Sequence, residues 1–324
     1  MKALVAQELS GPSGLVYTDV DDVAGGPDDV VVDVRAAGVC FPDLLLISGQ
    51  YQLKLETPFV PGTEVAGVVR SAPARSGLTP GDRVHGMCLL GGYAERAILP
   101  VDAALPTPPE LDDGQAVSLL VNYHTTYFAL ARRAALRPGE TVLVLGSAGG
   151  VGTAAIQVAK ALGARVVAMV YRDSAVDFVE GLGADVVLPL ADGWSKAVRE
   201  ATGGRGADVV VDPVGGAAFD EAIRALAPEG RLLVIGFAAG GIPTVKVNRL
   251  LLRNVGVLGV GWREFLMSNP QARAECAQGV ARLVDSGLRP PAPQRFPLAQ
   301  GRAALAALAA GAVFGKAVLE PEPR

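Results

Sequence analysis

Apolar and polar residues change their spacing three times along the chain. Up to about residue 120, short β-rich runs such as VVVDVRAAGV and VAGVVRSA alternate with Gly/Pro turns such as TPGDRVHG. Runs of this length, bounded by turn residues, are typical of strands in an all-β unit. The pattern therefore predicts a partly open, mostly β domain over residues 1–121.

From about residue 122 the pattern becomes strand, helix, strand, helix. The predicted strands are TVLVLG, RVVAMV, DVVLPL, ADVVVDPV, RLLVIGF and VGVLGVG, and the predicted helices are TAAIQVAKALG, AVDFVEGLG and AAFDEAIRALAPEG. Strands this apolar, separated by amphipathic helices, are typical of a parallel sheet covered on both faces. We predict a doubly wound α/β domain over residues 122–262.

The remaining residues, 263–324, are predicted to form a tail. It contains two helical stretches, QARAECAQGVARLVDSG and GRAALAALAAG, and a final strand, GKAVLEP. The pattern alone does not show which domain the tail joins.

The composition and net charge exclude some classes of function. Half of the residues are hydrophobic and 19% are charged, which is typical of a globular chain with two cores. The net charge is −4 and no basic stripe is present, so a nucleic-acid partner is not expected. No apolar run approaches the roughly 18 residues of a membrane span. The amino-terminal segment turns polar too early for a signal peptide, so we expect a cytoplasmic protein without a membrane partner.

A glycine-rich turn follows the strand TVLVLG and precedes the helix TAAIQVAKALG. This is the context in which a turn holds the pyrophosphate of a dinucleotide on a helix N-terminus. Gly149 would let the backbone approach the phosphates and Gly152 would let the helix pack closely, whereas Ser147 replaces the first glycine of the motif. A purely structural turn is the alternative. The predicted cofactor-binding residues here are Ser147, Ala148, Gly149, Gly150, Val151 and Gly152.

The end of the second strand indicates which nucleotide binds. Folds that prefer NAD place Asp or Glu about 20 residues after the glycines, but Val170 ends the strand RVVAMV. The guanidinium of Arg172, together with the hydroxyls of the flanking Tyr171 and Ser174, can bind a 2′-phosphate. In the alternative, Arg172 is a surface residue and Asp173 binds the ribose. We predict NADPH rather than NADH.

Several passages carry a family resemblance: GVCFPDLLLISGQY, PFVPGTEVAGVV, GDRVHG, GGYAERA, NYHTTYFAL, RPGETVLVLGSAGGVG and VNRLLLRN. Over essentially its whole length the chain resembles the medium-chain dehydrogenase/reductase superfamily, and most of all its zinc-free quinone oxidoreductase branch, where S-A-G-G-V-G is a usual form of the turn. The resemblance implies a GroES-like catalytic domain, a Rossmann domain, a tail that returns to the catalytic domain and an active site in the cleft between the two. It also implies a homodimer paired through the edge strand VGVLGVG.

The resemblance also bears on metal binding. Zinc alcohol dehydrogenases of this superfamily have three catalytic ligands, and their positions correspond here to Cys40, Thr63 and Asn122. One thiolate cannot hold a tetrahedral zinc that normally has three protein ligands. The three cysteines also fit no paired C-x-x-C lobe. We therefore predict no metal, and Cys40 is then implied to be a wall of the nicotinamide pocket.

Further site residues come from positions that match the family. Tyr51 and Asn122 are implied to be catalytic, with a packed loop aromatic and a helix-start residue as the alternatives. Lys316 is implied to reach the cofactor, although a salt-bridged strand lysine is the alternative. Thr126 is implied to touch the nicotinamide.

Four further cofactor-binding residues are predicted from the sheet itself, because doubly wound folds bind ligands at the carboxyl ends of their strands. They are Gly236 and Phe237 at the end of RLLVIGF, and Val260 and Gly261 at the end of VGVLGVG.

These residues predict a zinc-independent hydride transfer from NADPH to a small molecule. A quinone or an activated enone spreads negative charge over a conjugated system, so hydrogen-bond donors and correct placement can suffice. The predicted activity is that of a quinone oxidoreductase. One alternative is an alkenal or enoyl double-bond reductase. Another is a nucleotide-binding protein that has lost catalysis or contacts RNA, which the net charge of −4 disfavours.

Overall fold

The structure is a computed structural model and describes residues 1–322. The strands are β1 (Lys2–Ala6), β2 (Leu15–Asp19), β3 (Asp29–Val39), β4 (Glu64–Ser71), β5 (Arg83–Met87), β6 (Arg96–Pro100), β7 (Ala104–Pro106), β8 (Thr141–Val144), β9 (Arg165–Val170), β10 (Val186–Pro189), β11 (Ala207–Asp212), β12 (Leu226–Val234), β13 (Gly256–Gly259), β14 (Gln294–Pro297) and β15 (Ala317–Glu320).

The helices are α1 (Phe41–Ile47), α2 (Asp113–Ser118), α3 (Thr125–Tyr127), α4 (Gly150–Ala161), α5 (Val176–Gly181), α6 (Trp194–Ala201), α7 (Ala218–Ala225), α8 (Val247–Arg253), α9 (Trp262–Ser268), α10 (Ala272–Asp285) and α11 (Gly301–Ala309). The segments Leu119–His124 and Phe128–Arg133 are π-helical turns. Within residues 1–322, no helix is both long and apolar enough to cross a membrane.

The chain divides into two compact units. The first combines Met1–Val121 with Arg289–Arg324, and the second is the continuous stretch Asn122–Leu288. The sequence pattern predicts a tail that begins at residue 263, whereas residues 263–288 lie in the second unit. The reason is packing of α10: a Cβ atom on Gly279 would come within 2.2 Å of the ring of Tyr127, so helix and ring are in close contact.

The first unit is built around a mostly antiparallel sheet with the strand order β14-β15-β3-β4-β5-β7, and β6 also pairs with β3. Strand β15 runs antiparallel to β3, with Ala317 opposite Val39. The last part of the chain therefore completes a sheet that the first part begins. Its core includes Leu4, Leu15, Tyr93, Leu99, Leu305 and Leu319.

The second unit contains a parallel sheet with the order β10-β9-β8-β11-β12-β13. Numbered within the unit, this is the order 3-2-1-4-5-6, in which the chain reverses direction across the sheet between β8 and β11. The predicted fold class, a doubly wound parallel sheet and a mostly β unit, is confirmed. Core residues of this unit include Leu143, Val167, Trp194, Phe219 and Leu232.

Some element boundaries differ from the sequence prediction. The helix expected over AAFDEAIRALAPEG ends at Ala225, and Leu226 already begins β12. Pro228 explains this, because a proline disfavours helical geometry in the residue before it and removes a backbone donor. The elements α6, α8, α9 and β14 were not predicted. They are only four to eight residues long, so each contains too few positions for a periodic pattern to be distinguished.

Candidate functional site

The turn between β8 and α4 is closed by its own backbone. The Gly149 N–H donates to Gly146 O at 3.0 Å, and Gly146 has a φ of 60°. Ser147 is buried, and its hydroxyl donates to Val144 O at 2.9 Å. The residue with left-handed geometry is thus Gly146, so a serine is tolerated at the next position and ties the turn to the end of the strand.

The first turn of α4 lies directly on this loop. A Cβ atom on Gly152 would be 2.2 Å from Gly146 O and 2.7 Å from Ser147 Cα, so no larger residue fits. Helix α4 begins after Gly149, and among residues 1–322 no side chain caps it. Its first N–H groups and its dipole therefore remain available for an anion. These features fit the pyrophosphate of a dinucleotide.

Asn122 lies against the same helix turn. A Cβ atom on Gly150 would come within 2.5 Å of the Asn122 Nδ2 atom. Thr126 is fully buried and donates its hydroxyl to Asn122 O at 2.8 Å. The structure therefore brings Asn122 to the glycine turn, whereas the Thr126 hydroxyl is already engaged within its own helical segment.

The end of β9 adjoins the turn as well, because the Ser147 N–H donates to Met169 O at 3.4 Å. Val170 ends β9 and is buried, and Tyr171, which follows, is 83% exposed. Arg172 and Ser174 are also exposed. The residues predicted to hold a 2′-phosphate thus stand at the same sheet edge as the glycines.

The other predicted cofactor residues follow the next strands along this edge. Gly236 and Phe237 come after β12, and Val260 and Gly261 come after β13. The Ile235 N–H donates to Asp212 O at 2.9 Å. Strands β11 and β12 therefore end at the same edge of the sheet. Doubly wound sheets bind ligands at the carboxyl edge near the point where strand order reverses.

Asp212 at the end of β11 was not identified from the sequence. It is 1% exposed, and its Oδ1 accepts hydrogen bonds from the N–H groups of Val214 and Gly215, both at 2.8 Å. Within residues 1–322 its Oδ2 has no hydrogen-bond partner, and burial raises the pKa of the carboxyl group. The side chain fixes the loop that follows β11.

The first unit contains a buried polar cluster of Cys40, Glu64 and Lys316. The Cys40 thiol donates to Glu64 Oε1 at 2.9 Å, and Lys316 Nζ lies 3.1 Å from Cys40 Sγ and forms an ion pair with Glu64. Glu64 is fully buried, and its Oε2 accepts a hydrogen bond from the Val121 N–H at 2.9 Å. Of the two roles considered for Lys316, the salt-bridged lysine is the one that these contacts display. Glu64 was missed, because a carboxylate in a strand gives no sequence signal.

Burial and mutual charge shift the proton affinities of this cluster. Burial, and then the Glu64 charge, raises the pKa of Cys40 well above its usual value. Burial lowers the pKa of Lys316, but the neighbouring Cys40 and Glu64 outweigh it and the net shift is upward. Burial also raises the pKa of Asp43, whose Oδ2 accepts from the Tyr93 hydroxyl at 2.9 Å, to about 7.

Tyr51, the other predicted catalytic residue, is half-buried in a bend over residues 51–53. In the part of the chain that the structure describes, no group of three or more His, Cys, Asp or Glu side chains is arranged to hold a metal ion. The prediction that the protein works without zinc stays a prediction.

The strand order of the second unit and its glycine turn define the class of dinucleotide-binding proteins. Comparison with known proteins is more specific. Residues 26–109 match the family "Alcohol dehydrogenase GroES-like domain", and residues 150–284 match the family "Zinc-binding dehydrogenase". Quinone oxidoreductase-like protein 2 from Bos taurus is 39% identical over 271 residues, which cover 83% of this chain and 77% of the relative.

Solved structures agree with this similarity. A probable oxidoreductase from Mycobacterium abscessus is 60% identical, with a TM-score of 0.92 over 99% of each chain. The quinone oxidoreductase from Thermus thermophilus, studied also in complex with NADPH, is 35% identical, with a TM-score of 0.83 over 99% of this chain and 100% of that one. The chain belongs to the quinone oxidoreductase-like branch of the medium-chain dehydrogenase/reductase superfamily, as its sequence resemblance predicted. It is an oxidoreductase of that family, with a GroES-like first unit and a Rossmann second unit.

Proposed function

We propose that this protein is an NADPH-dependent quinone oxidoreductase that acts on small-molecule acceptors without zinc. The observation that carries the proposal is the turn from Gly146 to Gly152, which leaves the N-terminus of α4 open to an anion. A pyrophosphate satisfies the free N–H groups there and gains from the helix dipole.

The choice of NADPH rests on the end of β9. Val170 leaves no carboxylate at the strand end, and a carboxylate there would repel a phosphate group. We propose that Arg172, with Tyr171 and Ser174, binds the 2′-phosphate through charge-assisted hydrogen bonds. The related oxidoreductase from Thermus thermophilus, whose complex with NADPH has been solved, supports the same choice.

When bound, the reduced nicotinamide supplies the hydride that reduces the acceptor. The protein's own residues bind and orient the nicotinamide and the acceptor. Asn122, held against the first turn of α4, presents an amide that can both donate to and accept from a carboxamide. We propose that Tyr51 donates a hydrogen bond to a carbonyl oxygen of the acceptor, where negative charge develops during reduction.

The test is oxidation of NADPH and NADH, followed in parallel by loss of absorbance, with an ortho-quinone and a medium-chain enal as acceptors. Each reaction is run with and without a metal chelator, and the metal content of the purified protein is measured. The proposal expects faster use of NADPH than of NADH, a preference for the quinone and no effect of the chelator. Preference for the enal would reassign the protein as a double-bond reductase. Inhibition by the chelator, together with stoichiometric zinc, would refute the metal-free reaction.

Tight NADPH binding without turnover of either acceptor would favour a nucleotide-binding protein without this activity. A salt-sensitive shift of RNA in a gel would revive the RNA-contact alternative, which we do not expect at a net charge of −4. A cytoplasmic location and a homodimer complete the proposal.

A further inference from the structure

The buried contact between Cys40 and Lys316 is fixed by sheet geometry. Strands β3 and β15 pair antiparallel with Val39 opposite Ala317 and Gly38 opposite Val318, so the same register places Cys40 opposite Lys316. The two side chains are 4% and 5% exposed, and Sγ and Nζ lie 3.1 Å apart. A cysteine sulfur and a lysine side-chain nitrogen are thus held in contact across a sheet, although 276 positions separate them in sequence.

Glu64 contacts both groups. It accepts a hydrogen bond from the Cys40 thiol at 2.9 Å and forms an ion pair with Lys316. Its carboxylate lies across β3, since a Cβ atom on Gly38 would come within 2.2 Å of Oε1. A proton acceptor therefore stands beside the amine and the sulfur, which is the arrangement that a condensation between the two requires.

We propose that Cys40 and Lys316 form a reversible covalent cross-link, a sulfenamide bond between Sγ and Nζ, when the protein meets a hydroperoxide. In the first step the peroxide transfers one oxygen atom to the Cys40 sulfur as its O–O bond breaks. The other oxygen takes up the thiol proton and leaves as an alcohol, or as water when the oxidant is hydrogen peroxide, and Cys40 becomes a sulfenic acid. The structure assigns the Lys316 amine, already in contact with Sγ, as the group that resolves this sulfenic acid.

The second step balances without another oxidant. Lys316 passes a proton to the Glu64 carboxylate, and the free amine attacks Sγ as the S–O bond breaks. The departing hydroxide takes the proton from Glu64 and leaves as water, and the second ammonium proton passes to solvent. An added thiol reverses the link in two stages. The first thiol attacks sulfur, releases the Lys316 amine and leaves Cys40 in a mixed disulfide, and a second thiol then displaces Cys40 as the free thiol and leaves as a disulfide with the first. Burial makes the first step slow, because it keeps Cys40 in the thiol form.

Mass spectrometry of the whole protein tests the proposal independently of its enzymatic activity. After incubation with hydrogen peroxide, the intact mass should fall by about 2 Da, the loss of two hydrogens on condensation. Trypsin should then release residues 36–54 joined to residues 303–324, because the linked Lys316 is no longer cleaved. Dithiothreitol added before digestion should restore the original mass and the three separate peptides 36–54, 303–316 and 317–324.

Lys316→Arg is the matched variant, because arginine keeps the positive charge beside Glu64 but is a poor nucleophile. It should accumulate oxygen on the Cys40 peptide, in steps of about 16 Da, without joined peptides. Cys276→Ser keeps the Cys40–Lys316 pair and should cross-link like the native protein. An unmodified Cys40 after prolonged peroxide treatment, a singly oxidised but unlinked Cys40 in the native protein, or joined peptides in Lys316→Arg would each overturn the proposal.

Discussion

The side-chain amide of Asn122 occupies the space that a Cβ atom on Gly150 would need, 2.5 Å from Nδ2. The obstruction is the end of a side chain and not backbone, so it can be removed by mutation. Gly150→Ala should weaken NADPH binding several-fold by displacing the amide. In an Asn122→Ala background the same change should have little further effect. A double-mutant cycle of dissociation constants should give a coupling energy of about 1 kcal/mol, and purely additive losses would contradict the contact.

Gly152 faces backbone instead, because an added Cβ atom would lie 2.2 Å from Gly146 O. Gly152→Ala should therefore lower the free energy of unfolding by about 1–3 kcal/mol and disrupt the turn that receives the pyrophosphate. Gly181→Ala on α5 is the control, since an added Cβ atom there has nothing within 4 Å. That variant should be neutral or slightly stabilised. Equal behaviour of the two variants in urea unfolding and NADPH titration would argue against the close approach.

Arg172 should distinguish the two nicotinamide nucleotides. Arg172→Ala removes a charge-assisted partner of the proposed 2′-phosphate, so affinity for NADPH should fall about ten- to hundredfold, while affinity for NADH should not change. Lys196→Ala on α6 is the matched control for loss of a positive charge, because its side chain is 80% exposed and pairs only at the surface with Glu200. Parallel losses for both nucleotides would exclude the proposed contact.

His124 should make stability depend on pH. Burial, reinforced by the charge of Arg273, lowers its pKa from 6.5 to about 4. As the pH falls from 6.5 towards 4, the unfolded chain binds a proton that the folded chain does not, so stability falls. The limiting slope is about 1.4 kcal/mol per pH unit. Relative to His124→Gln, native stability in denaturant should decrease over this interval, and a constant difference from pH 7 to pH 4 would show that the histidine is not buried as described.

Strand β13 is an edge of the parallel sheet, with β12 as its neighbour. An edge strand carries unpaired backbone groups that a second copy can satisfy. We therefore expect a homodimer in sedimentation velocity at micromolar concentration, with dissociation only on strong dilution. A single monomeric species at that concentration would contradict the predicted homodimer.

The sequence predicted the parallel unit well because its strands are short apolar runs. RVVAMV, for example, corresponds to all of β9. It failed where local signals conflict with tertiary contacts. The predicted helix AAFDEAIRALAPEG included Leu226 to Gly230, but these residues begin β12. Pro228 disfavours helical geometry there, and Leu226 pairs with Ala207 of β11. Helix α8 was missed because it is short and its three consecutive leucines show no helical spacing. Leu250 packs against the core, whereas Leu251 and Leu252 are 75% and 78% exposed.

The residues of the candidate site likewise fall into those that the sequence predicted and those that it did not. The residues from Ser147 to Gly152 are adjacent in sequence, so a motif reveals them. The cluster of Cys40, Glu64 and Lys316 depends on the pairing of β4 with β3 and of β3 with β15. Strand register over such separations is set by the packing of whole strands, which no local pattern encodes. Cys40 and Lys316 were each identified singly, but not their contact or the carboxylate that joins them.

The pairing of β15 with β3 also has a consequence for synthesis of the protein on the ribosome. The second unit is one uninterrupted stretch, Asn122–Leu288, and can finish folding as soon as that stretch emerges. Strand β3 emerges much earlier, but its sheet is incomplete until Ala317–Glu320 has been synthesised and pairs with it. A nascent chain that stops short of residue 317 would contain a folded second unit, but the sheet of its first unit would have an unpaired edge at β3. Chaperones or other chains can bind such an edge.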